Sequence, residues 1–250
     1  LNGDLGALFE LNVTRAVEAF DDAGGGSAAA YAGAAGIDPG RIVPGTDIVT
    51  FRRLEGPSFR VLAPVDGHPV VEEGDSFDLQ AGDFLLIGDC EQSSLFRLTG
   101  VIHGGGSAVL LREPGAGSHE NSPVSTLSDG GKVYGPVGAA GGARVRRVMT
   151  ETYFIAPGRG ADRRGELTNS LWRRAGMAAS AELVEGVHDL QVSFGVDARP
   201  ADGVASVGRY QGFDDIPAGG AVLAVQVRVA AGDASGLRAF GQTFSLRNAG

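Results

Sequence analysis

The chain has 250 residues, 43% of them hydrophobic, and a formal net charge of −9. That apolar content excludes wholesale disorder and suffices for a sizeable core, while the acidic balance offers no field to attract nucleic acid. The 41 glycines imply many turns and long loops, and Cys90, the only cysteine, has no partner for an intramolecular disulfide.

The lone thiol reads as a small buried apolar side chain rather than a nucleophile. No apolar run reaches the ~20 residues of a membrane-spanning helix. With no charged-then-apolar leader either, the chain reads as a soluble fragment or mature ectodomain.

Residues 4–20 read as a helix, because Leu5, Leu8, Phe9, Val13, Ala16, Val17 and Phe20 recur at spacings of three and four. Asn2 or Asp4 can cap its start, and Gly24–Gly26 ends it. Residues 23–40 carry few large side chains and read as a loop with room for one short helical turn. From Asp47 onward the pattern becomes β. Residues 47–53, 59–64, 83–88, 94–102 and 107–112 have strand length and are punctuated by Gly, Pro and Asp. Phe84-Leu85-Leu86-Ile87 is apolar throughout, as a central strand should be.

Residues 113–142 hold few apolar anchors and read as a long exposed excursion, with a short hairpin near Val133-Tyr134. A second β section covers 144–156, 170–174, 188–197, 221–230 and 240–247. In it Leu190, Val192, Phe194 and Val196 alternate with Gln191, Ser193, Gly195 and Asp197, which gives a strand with one buried face. Leu223, Val225, Val227 and Val229 do the same. One helix followed by about ten strands implies an α+β fold, an N-terminal helix packed on antiparallel sheet. The corresponding division is 1–24 for the helix and 25–250 for a β-rich domain, with sections at 45–112 and 143–250.

No constellation of nucleophile, base and orienting group is legible, so no catalytic residue is assigned. His68, His103, His119 and His188 are scattered without metal-ligand spacing. There is no phosphate-binding loop, no dinucleotide fingerprint and no contiguous calcium loop, so neither metal nor cofactor is expected. A calcium site gathered from separate loops would leave no such trace. Arg144, Arg146, Arg147, Arg163, Arg164, Arg173 and Arg174 make the third quarter basic. They read either as solvated strand edges that discourage aggregation or as a patch complementary to an acidic neighbour. Trp172, Tyr153 and Phe154 read as core first and interface anchors second.

The stretch Leu183-Val184-Glu185-Gly186-Val187, leading through a short polar turn into a strand that ends Gly195-Val196-Asp197, resembles the signature of the PilW family of type IV pilus minor pilins. Other segments follow in the family's order. Residues 10–24 resemble the end of the pilin helix, 45–49 the first strand, 82–90 a Gly-Asp…Asp-Cys strand and 96–99 the strand after it. Residues 148–155, 171–174 and 243–248 resemble later strands and the ending. Many relatives carry a cysteine partner for the position of Cys90 shortly after the helix; residues 23–36 hold none.

The resemblance implies a non-enzymatic periplasmic domain. It would join other minor pilins, and a tip adhesin, in a complex that primes pilus assembly and sits at the filament tip, serving adhesion and twitching motility. It also implies anchoring of the full-length protein in the inner membrane through the first part of the helix. Leu5, Phe9, Val13, Val17 and Phe20 are then the helix-packing stripe. Arg163, Arg164, Trp172, Arg173 and Arg174, with the loops 113–142 and 157–169, are the candidate subunit contacts. The alternatives are a minor pseudopilin of a type II secretion system and a secreted carbohydrate-binding β module, whose exposed platform would be Trp172 and the tyrosines. An enzyme ranks after both.

Overall fold

A computed structural model describes residues 16–21, 26–63, 67–115, 120–121, 134–135, 142–161, 165, 167–197, 206–216, 221–233 and 236–245. These residues form antiparallel β-sheet almost throughout, with one α-helix and one 3₁₀ turn among them. No described helix is long and apolar enough to cross a membrane. The chain divides into two compact units: residues 1–14 with 52–149, and residues 15–51 with 150–250. Strands β2 (Ile48–Arg60) and β8 (Arg144–Ala161) each contribute to both.

In the first unit, β4 (Phe84–Gly88) lies between β5 (Ser93–Arg97) and the start of β8. That is the central position its apolar run implied. Leu85 and Ile87 point into a cluster with Phe59, Phe96, Leu98, Leu110 and Val145, while Phe84 and Leu86 pack with Leu95 and Val148 on the other face. A small sheet of β3 (Val70–Glu72), β7 (Ser107–Leu111) and β6 (Gly100–Gly104) adds Val71, Ala108 and Leu110.

The expected single strand 94–102 is therefore two strands in two sheets. Leu98 N–H donates to Asp83 and Thr99 N–H to Leu111, so the chain changes partners between them. The separate strands expected at 47–53 and 59–64 are, conversely, one: β2 runs through Gly56, whose φ of 71° absorbs the irregularity ahead of Pro57. Most of the 113–142 excursion lies outside the described residues, but Tyr134 is buried and its hydroxyl meets Ser94 Oγ at 2.9 Å. Cys90 is exposed, which corrects the buried-thiol expectation. It follows Asp89, whose carboxylate caps the turn to Gln92 and leaves the neighbouring side chains outside the sheet.

In the second unit, β1 (Val17–Phe20) pairs antiparallel with Ile48–Phe51 of β2. This overturns the described end of the helix expected over 4–20, and with it the α+β class. Leu5, Phe9 and Val13 lie outside the described residues, but Val17 and Phe20 are in a strand. Sheet pairing overrides the 3.6-residue pattern here, because Ala19 gains full burial against the cluster of Val49, Ile155, Leu190 and Phe194.

The helix that is present, α1 (Gly26–Ala34), lies in the segment expected to be loop. Gly36, at φ 64°, closes it with a Schellman pair: Ile37 N–H to Ala32 O and Gly36 N–H to Gly33 O. Tyr31 anchors the helix by donating to Thr50 Oγ1 at 2.6 Å, and Thr50 in turn meets Thr152 of β8 at 2.8 Å.

β9 (Leu167–Ala175) pairs with β8, and β10 (Ala181–Glu185) pairs with β9. The turn expected before the signature strand is thus itself a strand up to Glu185, and Gly186, at φ 74°, makes the bend. A four-stranded sheet completes the unit in the order β12 (Val207–Gln211), β11 (Val187–Asp197), β13 (Val222–Asp233) and β14 (Gly236–Ser245).

Candidate interaction surface

The alternation read in β11 sets up the sheet's two faces. Leu190 stands opposite Val229, Val192 opposite Val227 and Phe194 opposite Val225; β14 then adds Phe240, Gln242 and Phe244 to the same rows. Each row begins in the core and ends in the open. Leu190 and Phe194 are 2% and 1% exposed, whereas Phe240 and Phe244 are 60% and 51% exposed. All ten residues of β14 are exposed, including Leu237. The rows open on a groove of about 720 Å³, walled by Phe51, Tyr153, Leu171, Val229, Phe240 and Phe244. Phe51 and Tyr153 fix its floor edge to face at 6.0 Å.

The opposite face of the sheet is polar. Gln191, Ser193, Gln226 and Arg228 line a cavity of about 840 Å³ together with Asp21, Asp189 and Tyr210. Many of its polar groups already serve the fold: Gln191 donates to Gly45 O and Asp189 Oδ1, and Ser193 donates to Gln226 Oε1. Asp47 holds the start of β2 to β11 by accepting the Val192 N–H at 2.7 Å. Burial, aided by Asp214 and Asp215, raises the Asp21 carboxyl above its ordinary range, with a backbone hydrogen bond from Phe213 opposing it. Among the described residues no group of three His, Cys, Asp or Glu side chains is placed to hold a metal.

The basic candidates are placed differently from one another. Trp172 is 2% exposed, with the guanidinium groups of Arg41 and Arg159 over its ring at 5.0 and 5.5 Å. It is core, and does not form the open platform of a carbohydrate-binding module. Arg173 pairs with Glu151 at 3.2 Å, and Arg174 donates to the carbonyls of Ala35 and Ala178. Arg147 is taken up by Asp83 and Asp78. Arg163 and Arg164 lie outside the described residues. Pairing extends into the expected 157–169 loop, to Pro157↔Asn169 and Ala161↔Leu167. Phe240 and Phe244 belonged to an expected strand, but nothing in the local pattern marked them as open.

These features define, among the described residues, an antiparallel β protein with an open apolar surface at the edge of a sheet. Residues 152–248, from the second half of β8 through β14, match the family model for PilW, the Type IV Pilus-assembly protein W. The match covers the groove's walls from Tyr153 onward, supports the PilW resemblance and implies involvement in type IV pilus assembly. No curated protein and no solved structure matches the chain.

Proposed function

We propose that the protein is a non-enzymatic minor pilin. It joins other minor pilins in the complex that primes type IV pilus assembly, and it resides at the filament tip. The match over 152–248 carries this reading. It is supported by the open apolar rows in that same segment, since a surface of this kind costs solubility unless another chain covers it. The mechanism is physical. Burial of lateral surfaces, at ~25 cal/mol per Å² of apolar area, lowers the free energy of the first subunit cluster and so of filament nucleation. No cofactor enters this scheme, and the full-length protein is held in the inner membrane by a helix at its N-terminus.

Deleting the gene in the source bacterium and measuring sheared surface pili tests the reading. Loss of pili, restored by the wild-type gene, is expected. The mature N-terminus, read by mass spectrometry, should be an N-methylated residue opening an apolar helix with glutamate at its fifth position. Normal piliation overturns the proposal; if protein secretion fails instead, the type II secretion pseudopilin takes its place.

A further inference from the structure

We infer that the polar face of the four-stranded sheet is a saccharide site, which takes a short neutral glycan across β12, β11, β13 and β14. The inference stands apart from the pilus-assembly reading, since a filament subunit and a free module can each carry such a site. Its first support is shape. Pairing places Asp189, Ala230 and Ala239 in one row and Gln191, Arg228 and Gly241 in the next. Small residues of β13 and β14 thus lie among long polar ones. The hollow they leave is the cavity of about 840 Å³, within the ~300–1,000 Å³ of small-molecule sites. From Tyr210 in β12 to Ala239 in β14 it crosses three strand spacings, ~14 Å, which is longer than a single sugar ring.

The second support is the chemistry of the lining. Tyr210 is 43% exposed, and its ring rests over Gly195, where a Cβ would come within 3.1 Å of Cε1. The ring is thereby held on the sheet beside the polar rows, as a surface on which the C–H face of a sugar packs. Gln191 gives its amide N–H groups to Gly45 O and Asp189 Oδ1, but its Oε1 has no partner among the described residues. Neither the Tyr210 hydroxyl nor the Arg228 guanidinium has one there either. The amide oxygen only accepts, the guanidinium only donates and the phenol does both. Such a set suits a ligand whose every hydroxyl can donate and accept.

Charge and topology exclude the competing ligands. Asp21, Asp47 and Asp189 outnumber Arg228 on the cavity wall, which disfavours phosphorylated, sulfated and sialylated molecules. Among the described residues no group of three side chains is placed to hold a metal. An extended peptide docks by adding to a free strand edge, and the floor strands β11 and β13 are each paired on both sides.

The test is an array of neutral, sialylated and sulfated oligosaccharides probed with the 250-residue chain in multivalent form. The best neutral member is then titrated by NMR to millimolar concentration. Neutral oligosaccharides should bind and shift the amide signals of residues 189–193, 209–211 and 226–230. Tyr210→Ala should weaken binding about tenfold. Arg228→Ala, at an exposed position, should weaken it by a smaller factor. Phe244→Ala, on the other face of the sheet, should leave it unchanged, and thermal melts establish that each variant folds.

Absence of a neutral ligand overturns the inference, as does preference for the sialylated or sulfated members. Shifts confined to the opposite face of the sheet, or binding that survives Tyr210→Ala and Arg228→Ala alike, also overturn it. Loss of pili on gene deletion bears on the pilus reading alone, and a glycan result of either sign leaves that reading as it stands.

Discussion

Asp21 sits where its charge is disfavoured. Burial removes water from its carboxylate, Asp214 and Asp215 add like charge, and Oδ1 is buried without a hydrogen-bond partner. Its proton is held more tightly in the folded chain than in the unfolded one. The folded state therefore gains from it when protonated and loses that gain as pH rises through the unfolded value of 3.8 toward the raised folded one. Asp21→Asn should raise the melting temperature at pH 7, and the advantage should vanish below the unfolded pKa. Equal melting temperatures at pH 7 would remove the argument. Arg147 shows the opposite balance. Burial disfavours its charge, but Asp83 and Asp78 more than offset this and raise its pKa, so the guanidinium stays charged and bridges both carboxylates.

In the first unit, one side chain does the work of a strand. Asn121 is 1% exposed; its Oδ1 accepts from Arg97 N–H, and its Nδ2 donates to Arg97 O and Glu113 O. The amide thereby completes the hydrogen bonding at the end of β5, where the chain leaves one sheet for the other. Asn121→Ala leaves those backbone groups without partners and should cost about 2–3 kcal/mol, read as a lower urea midpoint. An unchanged midpoint would mean that the backbone groups find other partners. Among the described residues, the outer edge of β14 has neither a paired strand nor a side chain of this kind.

The segment that matches PilW is only part of a compact unit. Its compact unit includes residues 15–51, which supply Ala19 and Val49 to the cluster around Leu190 and Phe194. Asp47 tethers Val192, and Val43 N–H donates to Ile155 O at 2.9 Å. A fragment of residues 150–250 should accordingly lack the dispersed amide spectrum of a folded protein, and linking residues 15–51 to it should restore one. A well-dispersed spectrum from the shorter fragment would show that the matched segment carries its own core. Because β2 and β8 each serve both units, insertions are better tolerated at the chain's loops than at the unit boundaries.

The strands legible from sequence were those whose alternation is complete within one segment. β11 runs Leu190, Val192, Phe194, Val196 along one face, and all four are buried. β4 reads as central because both its faces are apolar. Period two is dictated by covering one face of a strand, and that requirement is local. What sequence left open depends on partners far along the chain. Val17–Phe20 fits a helical stripe and a strand equally well, and only pairing with Ile48–Phe51 decides it. Trp172 suits a platform or a core until Arg41 and Arg159 close over it. Phe240 and Phe244 repeat the spacing of a buried strand but lie open, because burial is set by the next strand in the sheet and, among the described residues, none is bonded beyond β14. Patterning along the chain specified which residues of a strand share a face; pairing in the folded protein settled that Val17–Phe20 is a strand and which faces are covered, because pairing and coverage belong to two segments together and not to either one.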